Sequence, residues 1–247
     1  RLTDVTGVQT CALPIYLGDD ASKACDKSFA AFQKFTAAQE TGGKRQKSKV
    51  IMELRQIAKK KLALLANLGY LSNGKLTSKG KFAIYLNGYE IQLTELFFNG
   101  LLEGKNEADL FVFLVSTVFE GKKNENRKRL PKEIRKIARQ VERCVQTARA
   151  MESMLGLKEE IRTPDFGLSL AALFWASGKS FQETMNATTT SPGDVIRAFR
   201  LAIQLCRQLK KACEGYESFI GLLERCMFAV NRDEVNALKQ LETFSTI

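Results

Sequence analysis

From Ala21 onward the apolar positions of this chain recur at intervals of three and four, which is the signature of successive amphipathic helices. ASKACDKSFAAFQKF sets Ala24, Ser28, Ala31 and Phe35, with Phe32 beside them, on one face. A basic, glycine-containing linker follows, TGGKRQKSK at 41–49. A long amphipathic segment then runs from about Val50 to Leu68, with Val50, Leu54, Ile57, Leu62, Leu65 and Leu68 as its apolar face. In GYLSNGKLTSKG, Asn73-Gly74 between short apolar stretches predicts a tight two-residue hairpin. Thr77 or Ser78 is placed to cap a helix through KGKFAIYL.

Helix, small hairpin and basic residues together read either as a winged-helix-like unit or as an ordinary helix–turn–helix loop. From Glu90 onward only helices are expected. YEIQLTELFFNGLLEG ends at a glycine, and ADLFVFLVSTVFEG is so apolar that it should be buried on several sides. KKNENRKR, Lys122 to Arg129, is a solvated basic connector. Pro131 opens a long helix through PKEIRKIARQVERCVQTARAMESML, and Pro164 and Pro192 mark two further starts. FGLSLAALFWASGKSFQETMNAT is a buried helix broken at Gly178, followed by a short one capped by Ser180. Three last helices are expected over about 192–214, 216–231 and 232–245. The fold class is mainly α: a partial winged helix with a small β-hairpin, then a multi-helix bundle. The domain boundaries are 20–88 and 89–247, after a front segment 1–19.

A hydrophobic fraction of 45% supports a core, and 38 Lys and Arg against 27 Asp and Glu leave a net charge of +11. That balance favours an anionic partner, nucleic acid ahead of a membrane surface. The chain has no histidine, which excludes His general bases, Ser-His-Asp or Cys-His catalysis and His-ligated metal. None of the six cysteines forms a C-x-x-C pair, so they read as reduced thiols of a cytoplasmic protein. No apolar run reaches the ~20 residues of a membrane span.

Candidate chemistry is sparse. GYLSNGK, Gly69 to Lys75, fits G-x-x-x-x-G-K, but Leu76 stands where a phosphate loop needs Ser or Thr, and the context is helix to hairpin. No paired carboxylates or metal-ligand cluster appear, so no catalytic residues, cofactor or metal are assigned to this chain. The helix SPGDVIRAFRLAIQLCRQLKKAC is more informative. Val195, Phe199, Ala202, Cys206, Leu209 and Cys213 form one core seam. Arg197, Arg200, Gln204, Arg207 and Lys211 form a second stripe, which is either a solvated face or a track beside a nucleic-acid backbone. Trp175 is a core aromatic, and Glu120 ends the very apolar helix.

KSFAAFQ, LLANLGYLSNGKLTSKGKFAIYL, LTELFFNGLLE, STVFEG, LFWASGKSF and GDVIRAFRLAIQLCRQL occur in an order that resembles the C-terminal part of DExH-box RNA helicases of the superkiller and exosome-cofactor class. The helical part of that region is labelled DSHCT. The resemblance runs from about Ala21 to the end, with Ser28 to about Leu86 similar to the winged helix and Glu90 to Phe244 similar to the bundle. It implies single-stranded RNA passing between the bundle and two RecA-like motor domains, which hold ATP and Mg and belong to the same parent chain. It implies that Arg197 and Arg200 face RNA or contact the motor, with Arg207 on the same stripe. Glu120 and the hairpin lysines Lys75, Lys79 and Lys81 are further candidates. A winged-helix DNA-binding regulator with a helical interaction domain is the alternative. TGGKRQKSK is too short for the arch insertion of eukaryotic exosome helicases, so a prokaryotic short-loop member is expected.

The opening VTGVQTCALPI, Val5 to Ile15, lies outside the resemblance and has neither helical period nor strand alternation. Written as codons it resembles a widely used sequencing adapter read through as protein. With Arg1 in place of a methionine, the expectation is a metagenomic fragment with an artefactual front end and its motor domains lost upstream.

Overall fold

The computed structural model describes residues 44–121, 130–158 and 161–236. The opening stretch, the helix expected over 21–35, the basic connector at 122–129 and all of the last expected helix beyond residue 236 lie outside them. The chain divides into two compact units, residues 1–91 with 147–162, and residues 92–146 with 163–247.

In the first unit, helix α1 spans Lys44–Asn67. It begins inside the stretch expected as a linker, because Lys, Arg and Gln are good helix formers and nothing after Gly43 interrupts them. Its buried line is Ala58, Leu64, Leu65 and Leu68, with the Lys61 stem among them. Ile57, expected on the apolar face, is 40% exposed, so the face is rotated from the sequence reading. A Schellman arrangement closes the helix: Gly69 has φ 79, its N–H donates to Ala66 O at 3.0 Å, and Tyr70 N–H donates to Leu65 O at 2.8 Å.

Strands β1 (Leu71–Ser72) and β2 (Lys75–Leu76) pair antiparallel, with Leu71 opposite Leu76 and Ser72 opposite Lys75. Asn73 and Gly74 take φ 49 and 73, the left-handed pair a two-residue hairpin needs. Thr77 caps α2 (Ser78–Ala83): its Oγ1 accepts from Gly80 N–H at 3.1 Å and donates to Gly69 O at 2.7 Å. The hairpin is seated tightly on α2. A Cβ on Gly80 would lie 2.3 Å from Tyr70 O. Helix α3 spans Glu90–Phe98.

The second unit is built around α4 (Glu107–Val118), in which every residue from Leu110 to Val118 is buried. Its start is capped by Asn106, whose Oδ1 accepts from Asp109 N–H at 2.7 Å. Helix α5 spans Lys132–Met154, directly after Pro131 as expected, and its residues from 147 onward belong to the first unit. A 3-10 turn at Phe166–Leu168 leads into α6 (Ser169–Ala176), then α7 (Phe181–Asn186), α8 (Pro192–Ala212) and α9 (Glu217–Val230). Helices α6, α8 and α9 pack on α4, and α7 packs on α6. Gly178, with φ 82, separates α6 from α7. Ser180 and Glu183 form a capping box at the start of α7.

Edge-on aromatic contacts tie this core together. Phe111 and Phe199 lie 5.1 Å apart, and Trp175 and Phe181 lie 6.1 Å apart. The seam Val195, Phe199, Ala202, Cys206, Leu209 and Cys213 is fully buried, as its spacing requires. Burial pushes the Cys213 thiol up to about 12. The helix expected over 232–245 does not start at 232; Asp233–Val235 form a single 3-10 turn, with Asp233 at φ 45 and Asn236 extended. A non-glycine residue at positive φ starts a turn rather than an α-helix.

Candidate nucleic-acid interface

Helix α8 positions the candidate stripe. Ser191 caps it, accepting from Asp194 N–H at 3.3 Å, and Pro192 occupies its first turn. The buried seam on one side forces the residues out of phase with it to face outward. Arg197, Gln204, Arg207 and Lys211 are exposed, whereas Arg200 is half-buried. The Arg200 guanidinium donates from Nε to Val235 O at 2.9 Å and from Nη2 to Glu234 O at 3.0 Å. It ties the closing 3-10 turn to α8. Arg207 Nη1 donates to Gln204 Oε1 at 3.3 Å, one helical turn back.

The other sequence candidates lie elsewhere. Glu120 is exposed, just past the end of α4. In the first unit Lys75 and Lys81 are exposed, and Lys79 is half-buried. Lys79 Nζ donates to Leu68 O at 2.9 Å and sits 4.9 Å from the centre of the Tyr70 ring, so its ammonium braces the hairpin. Each unit thus carries candidate cations, and in each one of them, Arg200 or Lys79, is held by backbone carbonyls of another segment.

Arg207 opens onto a groove that sequence reasoning missed. The groove has a volume of about 890 Å³ and is walled by Ser177, Gly178, Ile203, Met227, Phe228 and Arg232, among others. Phe228 is 90% exposed. The signal was present in its helical phase. Leu222, Leu223, Cys226 and Val230 carry the buried side of α9, and Phe228 falls across from them.

Arg232 closes one end of the groove. Its guanidinium lies 3.6 Å from the centre of the Trp175 ring. Nη2 donates to Trp175 O at 3.0 Å and Lys179 O at 2.6 Å, while Nη1 pairs with Asp233 Oδ2 at 2.9 Å. Trp175 Nε1 in turn donates to Val230 O at 2.8 Å. These contacts cross-link the wall where α6, α9 and the 3-10 turn meet. Among the described residues no group of three or more His, Cys, Asp or Glu side chains is placed to hold a metal ion. Nor is any helix there long and apolar enough to cross a membrane.

Fold and surface together define a helical-bundle domain with a small hairpin-bearing unit and a basic helix edge. The chain belongs to the DSHCT family: the DSHCT (NUC185) domain matches residues 73–237, two-thirds of its length. It is similar to the ATP-dependent RNA helicase mtr4 of Schizosaccharomyces pombe, 29% identical over 198 residues, which are 76% of this chain and 18% of that one. It is similar to the antiviral helicase SKI2 of Saccharomyces cerevisiae, 28% identical over 72% of this chain and 15% of the relative. It is also similar to the exosome RNA helicase MTR4 of Homo sapiens, 26% identical over 68% of this chain and 17% of the relative. The chain thus spans less than a fifth of the length of these curated relatives.

Proposed function

We propose that this chain is the C-terminal RNA-guiding and motor-packing region of an ATP-dependent DExH-box RNA helicase, acting in RNA processing or decay. On this reading the RecA-like motor domains of the same parent chain bind ATP and Mg and supply the hydrolysis. The observation that carries it is the two-edged character of α8 within a DSHCT domain. One edge is core from end to end, and the other presents Arg197, Gln204, Arg207 and Lys211 to solvent. Long cationic side chains on a rigid helix suit an unpaired backbone sliding past, because phosphate contacts carry no sequence preference.

Arg197 and Arg207 are the RNA-facing members of the stripe. Arg200 supports them by holding the closing turn, and Glu120 is a second polar contact. In the first unit, α1, the hairpin and α2 form part of a winged helix, with Lys75 and Lys81 as phosphate contacts and Lys79 bracing the hairpin. Cytoplasmic localisation and a prokaryotic short-loop parent complete the proposal.

Fluorescence anisotropy with single- and double-stranded RNA and DNA tests it. The chain should prefer single-stranded RNA, and Arg197→Ala with Arg207→Ala should weaken that binding about ten-fold or more. A preference for duplex DNA would favour a winged-helix DNA-binding regulator with a helical interaction domain instead.

A further inference from the structure

We propose that Phe228 is a stacking platform for one unpaired nucleobase, with Arg207 across the groove taking the phosphate of the same or the neighbouring nucleotide. The inference rests on the single-stranded RNA reading above and adds a base-binding subsite outside the α8 stripe.

Phe228 is 90% exposed, opposite the buried side of α9 formed by Leu222, Leu223, Cys226 and Val230, so it contributes little to the core of its own domain. Exposing a phenyl ring to water is unfavourable unless something covers it. The composition of the groove narrows what that cover is. Ile203, Met227 and Ala229 make an apolar floor, and the exposed guanidinium of Arg207 stands at its edge. Gly178 carries no side chain, and even a Cβ there would meet nothing within 4 Å, so that lip of the groove is open. A flat apolar face beside an exposed cation matches a nucleobase and its phosphate, the pairing that single-strand binders use without regard to sequence.

Charge complementarity points to the same occupant. Arg207 continues the stripe begun by Arg197, about 15 Å away along the helix at 1.5 Å per residue. The chain as a whole carries +11. A strand lying along α8 would therefore deliver bases to the Phe228 side of Arg207. The wall against which the base would rest is held in place by Arg232, clamped between the Trp175 ring, two carbonyls and Asp233. Stacking against a cross-linked wall loses less conformational entropy than stacking against a mobile loop.

The test uses the 247-residue chain and a short oligouridine, with and without 5-iodouridine. Long-wavelength irradiation should join the iodinated RNA to the peptide containing Phe228. Phe228→Ala and Phe228→Leu should each weaken single-stranded binding about ten-fold, the size typical of losing one stacked base. Phe228→Trp should bind as well as the parent or better. Duplex RNA affinity should be unchanged in all three, and so should thermal midpoints, since the ring is outside the core. Equal affinity of Phe228→Ala and the parent chain for oligouridine would overturn the proposal and leave the ring to a protein contact. Full binding by Phe228→Leu would also overturn it, because an apolar contact without a π-face would then suffice. Absence of oligouridine binding by the parent chain would instead defeat the underlying single-strand reading.

Discussion

At Trp175 one residue gathers the ends of three elements. Its indole N–H holds Val230 O at the end of α9, and its own carbonyl and ring hold Arg232 from above. Charge-assisted hydrogen bonds of this kind contribute ~1.5–3 kcal/mol each to stability, less where water still reaches them. Arg232→Ala should destabilise the chain by about 2 kcal/mol in urea unfolding. Arg232→Lys should recover less than half of that loss, because an ammonium cannot stack flat on the ring and reach both carbonyls. Full recovery by lysine would show that charge alone matters there. Glu90 sets a second residue-level test. Burial raises its carboxyl above its ordinary value, against the hydrogen bonds to its own and the Gly88 N–H and the field of Lys61. The folded chain therefore keeps this proton to a higher pH than the unfolded chain does. Stability is lost as pH rises from the ordinary carboxylate range through the raised folded value. Glu90→Gln should match the parent at about pH 3.5, where both states are protonated, and be more stable at pH 7. An equal difference at both pH values would contradict this.

At the scale of elements, the hairpin and α2 show how local signals and close packing combine. Asn73-Gly74 and the Thr77 cap are both legible in the sequence, since each depends on a backbone conformation that few residues allow. The need for glycine at position 80 is not legible, because it arises from Tyr70 O, ten residues away, lying where a Cβ would go. Gly80→Ala should therefore cost about 1–3 kcal/mol and lower the thermal midpoint, although alanine is the better helix former. An unchanged or raised midpoint would mean that the hairpin yields freely. Helix α8 was readable along its whole length, because a four-three seam and a capped proline start are local patterns. The face of α1 was read a fraction of a turn off, since amphipathicity is diffuse when Ile57 and Leu54 flank the true buried line. The start of the last helix was set too early, because Asp233 takes a positive φ that breaks the helical run there.

At the scale of the molecule, net charge and its distribution govern encounter with a polyanion. Titrations with single-stranded RNA at two salt concentrations should show affinity falling with added salt. The slope should become shallower by about 0.7 for each of Arg197→Ala and Arg207→Ala. Phe228→Ala should leave the slope unchanged, because it removes no charge. Sequence alone determined the helical class, the hairpin turn, the core seam of α8 and the set of cations available to a partner. These rest on short-range periodicity, turn chemistry and charge counts, which are properties of neighbouring residues. Tertiary structure alone decided which cations are occupied. Arg200 turns to the carbonyls of the closing turn and Lys79 to Leu68 O and Tyr70, while Arg197 and Arg207 stay in solvent. It alone brought Phe228, Gly178 and Arg207 to one groove, because residues up to fifty positions apart meet only when the helices carrying them pack.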